Sequence, residues 1–130
     1  MGPTGKEGLF LDLKDRGMTA EGIIKIFPPP VYFTAFVDGG SIPDKAALME
    51  ALAAAFRFPS YFGKNWDALL DCLRSLPDVV PAGGYVLVIR GSRAFLASSP
   101  KDLADFSDVA GEAREFLGKK FKIDLTVVLL

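Results

Sequence analysis

Three stretches of the chain, residues 33–37, 85–89 and 125–130, are unbroken runs of apolar or β-branched side chains. A strand with one wet face alternates apolar with polar residues, whereas a strand covered on both faces reads as a continuous run, and strands of the second kind are as a rule parallel. Parallel neighbours need long crossover connections, which are normally right-handed. The gaps between the runs carry helical patterns. Asp44 is placed to cap a helix whose Leu48, Leu52, Ala55 and Phe56 form one stripe, ended by Pro59. Asn65 is placed to cap a second helix through Leu76, stopped before Pro77. Ser107 is placed to cap a third, with Val109, Ala113, Phe116 and Leu117 inward, Asp108 and Glu112 early, and Lys119 and Lys120 late, where the dipole favours them. The expected fold class is therefore α/β, a three-stranded parallel sheet packed with helices over residues 33–130.

Ahead of this unit, the prolines at 28, 29 and 30 fix three backbone angles and remove three donors, so residues 1–32 read as an N-terminal extension behind a stiff connector. Its apolar runs, Leu9 to Leu13 and Ile23 to Phe27, flank a polar, glycine-containing turn. They suit a hairpin laid on the sheet, or one short helix starting at Thr19.

Composition then limits the chemistry. A chain of 130 residues, half of them apolar, builds one core and not two. Fifteen basic against sixteen acidic residues leave a net charge of −1, with no long-range field to draw in nucleic acid or an anionic membrane. With no histidine and a single cysteine, Cys72, the Ser-His and Cys-His pairs and thiolate or imidazole zinc sites are out of reach. Neither enzymatic activity nor a metal or cofactor is expected. A lone cysteine, no basic-then-apolar leader, and no apolar run near the length of about 20 residues that spans a bilayer point to a soluble, cytoplasmic protein.

The informative segment is residues 65–76. On a helical wheel Leu69, Cys72, Leu73 and Leu76 share an inward stripe, Asp67, Leu70, Asp71 and Arg74 face out, and Trp66 lies at the border. Two aspartates four apart on a helix repel by about 0.2 to 0.5 kcal/mol, and aspartate is a poor helix former. Asp67 gains from the first-turn dipole; Asp71 does not. One reading is a plain solvated face, with Arg74 offsetting the repulsion at i+3 from Asp71. The other is a binding hot spot in which apolar Leu70 and Trp66, set among carboxylates, dock on a basic partner.

The run from Pro59 to Leu73, P-S-Y-F-G-K-N-W-D-A-L-L-D-C-L, resembles the central signature of the barstar family, bacterial intracellular inhibitors of secreted guanyl-specific ribonucleases. The resemblance covers residues 33 to the end and implies a barstar-like fold. It also implies a non-enzymatic inhibitor, acting as a monomer, whose loop and acidic helix over residues 61–76 plug the ribonuclease active site. Carried over by position, it implies that Tyr61 covers the catalytic pocket, that Asn65 caps the helix and makes contact, and that Asp67 and Asp71 stand where an RNA phosphate would sit. Leu70 and Ser75 would complete the footprint, and Trp66 and Arg74, from the wheel reading, stand beside them among the candidate partner-binding residues. Three departures accompany it. Leu70 stands at the family's usual tryptophan, Arg74 adds a positive charge to the face, and Leu117 and Gly118 fall where an acid is expected on the last helix, Glu115 being the nearest acid.

Plainer roles suit the neighbours. Cys72 reads as a small buried hydrophobe, Phe62 as a core aromatic, Gly63 as the turn into the helix, and Gly83-Gly84 as a turn without the lysine and hydroxyl of a phosphate loop. The rival reading is a barstar-fold binding module with a non-ribonuclease partner, to which the N-terminal segment adds contacts. A carboxylate enzyme would need a concave pocket at Asp67 and Asp71, where helix geometry implies a convex surface. A nucleic-acid binder would need a basic stripe, and Lys119, Lys120 and Lys122 are as well explained by a helix end.

Overall fold

The computed structural model describes residues 8–130; residues 1–7 of the expected extension lie outside the described part. The elements run β1 (Phe10–Asp12), α1 (Ala20–Ile26), β2 (Tyr32–Asp38), α2 (Lys45–Ala55), α3 (Trp66–Arg74), α4 (Leu76–Val79), β3 (Gly84–Arg90), α5 (Pro100–Phe121) and β4 (Asp124–Leu129). Each of the three apolar runs is a strand, and all pair in parallel. Ala35 sits opposite Leu87, and Leu87 opposite Val127. Among the described residues no helix is long and apolar enough to cross a membrane.

The sheet has four strands rather than the three expected, in the order β1-β4-β3-β2. The fourth comes from the N-terminal segment. Phe10 pairs in parallel with Val127, Val127 N–H donates to the Leu9 carbonyl at 2.8 Å, and Leu13 N–H donates to the Leu129 carbonyl at 2.9 Å. The segment is not a hairpin: the second apolar run lies on α1, whose cap is Thr19, with Oγ1 accepting from Gly22 N–H at 3.1 Å. This arrangement meets two demands at once. β4 without β1 would leave a row of edge amides and carbonyls open, and the apolar back face of the sheet needs a cover. Ile23 of α1 is fully buried there with Val86, Val88 and Val128. The prolines then form the turn into β2, closed by Tyr32 N–H donating to the Pro28 carbonyl at 3.1 Å.

The front face carries the main core, where Leu48 and Leu52 of α2 with Phe56 just past its end, Leu69 and Leu73 of α3 and Phe106, Ala113 and Leu117 of α5 meet the strands. Asp44 caps α2 as expected, with Oδ1 accepting from Ala47 N–H at 3.0 Å. Two boundaries differ. The helix capped by Asn65 ends at Arg74, and Pro77 sits in the first turn of the short α4, where its missing N–H has no intrahelical partner to lose. Ser107 is not a cap. It lies inside α5, its hydroxyl donating to the Leu103 carbonyl at 2.9 Å, and the helix begins seven residues earlier at Pro100, with Asp102 in its first turn. Proline at the first helical position, followed by an acid, is a start signal as strong as a serine.

Candidate functional site

The loop between α2 and α3 separates two adjacent aromatics. Phe62 N–H closes a turn on the Pro59 carbonyl at 3.0 Å, and Lys64 takes a left-handed backbone at φ 54°. The turn sends Phe62 into the core, its ring centroid 5.1 Å from that of Phe58, edge to face. Tyr61 is left 85% exposed. A phenol held that far into solvent by its own backbone buries little apolar area in this chain, although ring burial favours folding by about 1.5 to 3 kcal/mol for comparable side chains. Lys64 is held in turn by Glu50 of α2 at 2.6 Å, a pair that sequence spacing could not reveal.

Asn65 starts α3. Its Oδ1 accepts from Ala68 N–H at 2.8 Å and its Nδ2 donates to the Gly63 carbonyl at 3.4 Å, so the side chain aligns loop and helix together. Trp66 is half-buried, with the Lys45 ammonium 5.8 Å from its ring centroid. Asp67 and Asp71 both lie on the exposed face. Neither carboxylate has a hydrogen-bond or ion-pair partner among the described residues. Leu70 is half-buried and packs against the core cluster instead of standing clear of it. Ser75 is exposed at the end of α3, its N–H donating to the Asp71 carbonyl at 3.1 Å.

Arg74 does not fold back on Asp71. Its guanidinium lies 5.2 Å from the Phe116 ring centroid and its Nη2 is 3.4 Å from the Glu112 carboxylate, both on α5. The planar guanidinium stacks on a ring and reaches a carboxylate at once, which a solvated i+3 pairing does not offer. The repulsion between the aspartates is therefore not offset by Arg74. Glu115, the acid nearest the place where one was expected, is 2.7 Å from the Lys119 ammonium, which holds its carboxyl below the usual range.

The surface beside Asp71 is not simply convex. Between loop and helix a hollow of about 140 Å³ is lined by Phe58, Tyr61, Asp71, Cys72, Ser75 and Val79, among others. Cys72 is half-buried at its wall. Burial, and secondarily the Asp71 charge, push its thiol up from the ordinary value. A thiol so placed is less often the reactive thiolate.

The model of the family described as Barstar (barnase inhibitor) matches residues 32–129. The chain is also 34% identical over 90 residues to YrdF of Bacillus subtilis (strain 168), a protein provisionally named a ribonuclease inhibitor; the match covers 67% of this chain and 91% of that protein. With its parallel sheet, its capped acidic helix and a family match that takes in three of the four strands and every helix on the front face, the chain belongs to the barstar family.

Proposed function

We propose that the protein inhibits a guanyl-specific ribonuclease by plugging its active site with Tyr61 and the exposed face of α3. The observation that carries this reading is the pair Asp67 and Asp71, one turn apart, exposed, and both free of partners within the described chain. Two carboxylates one turn apart on a helix repel, and a pair left open in spite of that repulsion is set up for cations supplied by another molecule. An enzyme that holds a phosphodiester lines its cleft with such cations. Tyr61 adds a rigid aromatic contact, and the hollow beside Asp71 gives an enzyme side chain a place to enter. In this reading the protein is not itself a catalyst. It acts as a monomer, one inhibitor to one enzyme, in the cytoplasm, against an enzyme destined for secretion. Trp66, Leu70, Arg74 and Ser75 border the contact, and Asn65 holds the loop in place.

A second reading, a barstar-fold module for a partner other than a ribonuclease, draws on Leu70, which is half-buried instead of projecting, and on exposed Ile24 and Ile26 of α1. Titration of a secreted guanyl-specific ribonuclease from the same genome, following RNA cleavage, separates the two. Under the first reading wild-type protein inhibits stoichiometrically, and Asp71→Ala weakens binding at least thirtyfold, about 2 kcal/mol, with folding stability unchanged or slightly raised. Inhibition that survives in Asp71→Ala would remove the phosphate-mimic role. If wild type does not inhibit but Ile24→Ser with Ile26→Ser abolishes capture of another protein, the second reading holds.

A further inference from the structure

Where the acidic face of α3 ends, a surface of opposite sign begins. Between α3 and α5 lies an open groove of about 440 Å³ lined by Arg74, Glu112, Glu115, Phe116, Lys119 and Lys120. Phe116 is its aromatic centre. The Arg74 guanidinium lies 5.2 Å from the ring centroid and the Lys120 ammonium 5.4 Å, both within cation–π distance. Two of the three cations have acids of their own, Arg74 with Glu112 at 3.4 Å and Lys119 with Glu115 at 2.7 Å. Lys120 has no carboxylate partner among the described residues; its ammonium rests between Phe116 and the exposed Phe121, 5.4 Å from that ring as well. The groove thus carries one uncompensated positive charge, on a side chain already positioned by two rings. Arg74, one turn beyond Asp71 on α3, joins it to the acidic face.

We infer that this groove is a second half of the ribonuclease interface and receives an aspartate or glutamate side chain from the rim of the enzyme's cleft. The inference rests on the plugging reading and adds the sign of the surface that must surround the cleft. Like charges brought together and desolvated across an interface oppose binding, so an enzyme that is cationic all around its cleft meets Lys120 with repulsion, while one with an acid at the rim gains a carboxylate–ammonium contact beside an aromatic ring. The acidic helix recognises ribonucleases as a class, and the Lys120 groove selects among them. Continuity through Arg74 makes the footprint two-signed and sets one orientation of the partner.

The test uses the full-length protein and the same ribonuclease, with inhibition constants measured for wild type, Asp71→Ala, Lys120→Ala and Lys120→Glu, and thermal melts as the check on folding. Lys120→Glu is expected to weaken inhibition at least tenfold and Lys120→Ala by a few fold, with melting temperatures unchanged. Converting the enzyme's rim acids one at a time to lysine should restore binding to Lys120→Glu at one position. Unchanged or tighter inhibition by Lys120→Glu, while Asp71→Ala loses it, overturns the groove and leaves the plugging mechanism standing. Inhibition by none of the four proteins overturns the plugging reading and this inference with it.

Discussion

The side chains around α3 show how much of a local pattern depends on a single neighbour. Asn65 and Asp67 suit the start of a helix, and both do there what their chemistry favours. Asp71 has no such local reason, and nothing within the described chain compensates it. Its nearest consequence falls on Cys72, whose thiol is raised above its ordinary value of 9.0 first by burial and then by this charge. At pH 8 the thiolate fraction is accordingly smaller than in a free thiol, so alkylation by iodoacetamide should be slower in the folded protein than in urea. Asp71→Asn should speed it by removing the smaller cause. Equal rates in folded and unfolded protein would mean that the thiol is neither buried nor shielded as described.

Among the elements, the N-terminal strand and helix pack directly on the sheet. β1 closes the β4 edge and α1 covers the back of the sheet, where Ile23 has no exposed surface. Truncating a fully buried isoleucine typically costs about 2 to 5 kcal/mol, from lost burial and the cavity left behind. Ile23→Ala should therefore lower the stability measured by urea unfolding by an amount in that range, and a loss below 0.5 kcal/mol would show that α1 is only loosely attached. The same variant should leave inhibition unchanged at temperatures where it remains folded, because α1 lies across the sheet from α3.

For the whole molecule, the fastening of that N-terminal segment depends on pH. Arg93, in the turn after β3, donates hydrogen bonds to both carboxylate oxygens of Asp15, which holds this carboxyl below its ordinary value of 3.8. A lowered value means that folding favours the ionised form. The contribution is fully present above the ordinary value and is lost as the pH falls through the lower, folded one. Both groups are exposed, so the effect is small. The melting-temperature difference between wild type and Asp15→Asn should be positive at pH 7, begin to shrink near 3.8 and fade as the pH falls through the lower, folded value. A difference that does not change with pH across the acid range would mean that the asparagine acts through packing. Much of this architecture was legible beforehand. The three strands, the caps at Asp44 and Asn65, and the opposite fates of Tyr61 and Phe62 follow from side chains within a few residues of one another, and local chemistry is enough to decide them. Only the tertiary structure decided that the run from Leu9 to Leu13 would supply a fourth strand and the run from Ile23 to Phe27 a helix behind the sheet, and that Arg74 would leave Asp71 for Glu112 and Phe116. Each of these outcomes is settled by a partner far away in the chain: an open strand edge, an uncovered apolar face, or an aromatic ring on another helix.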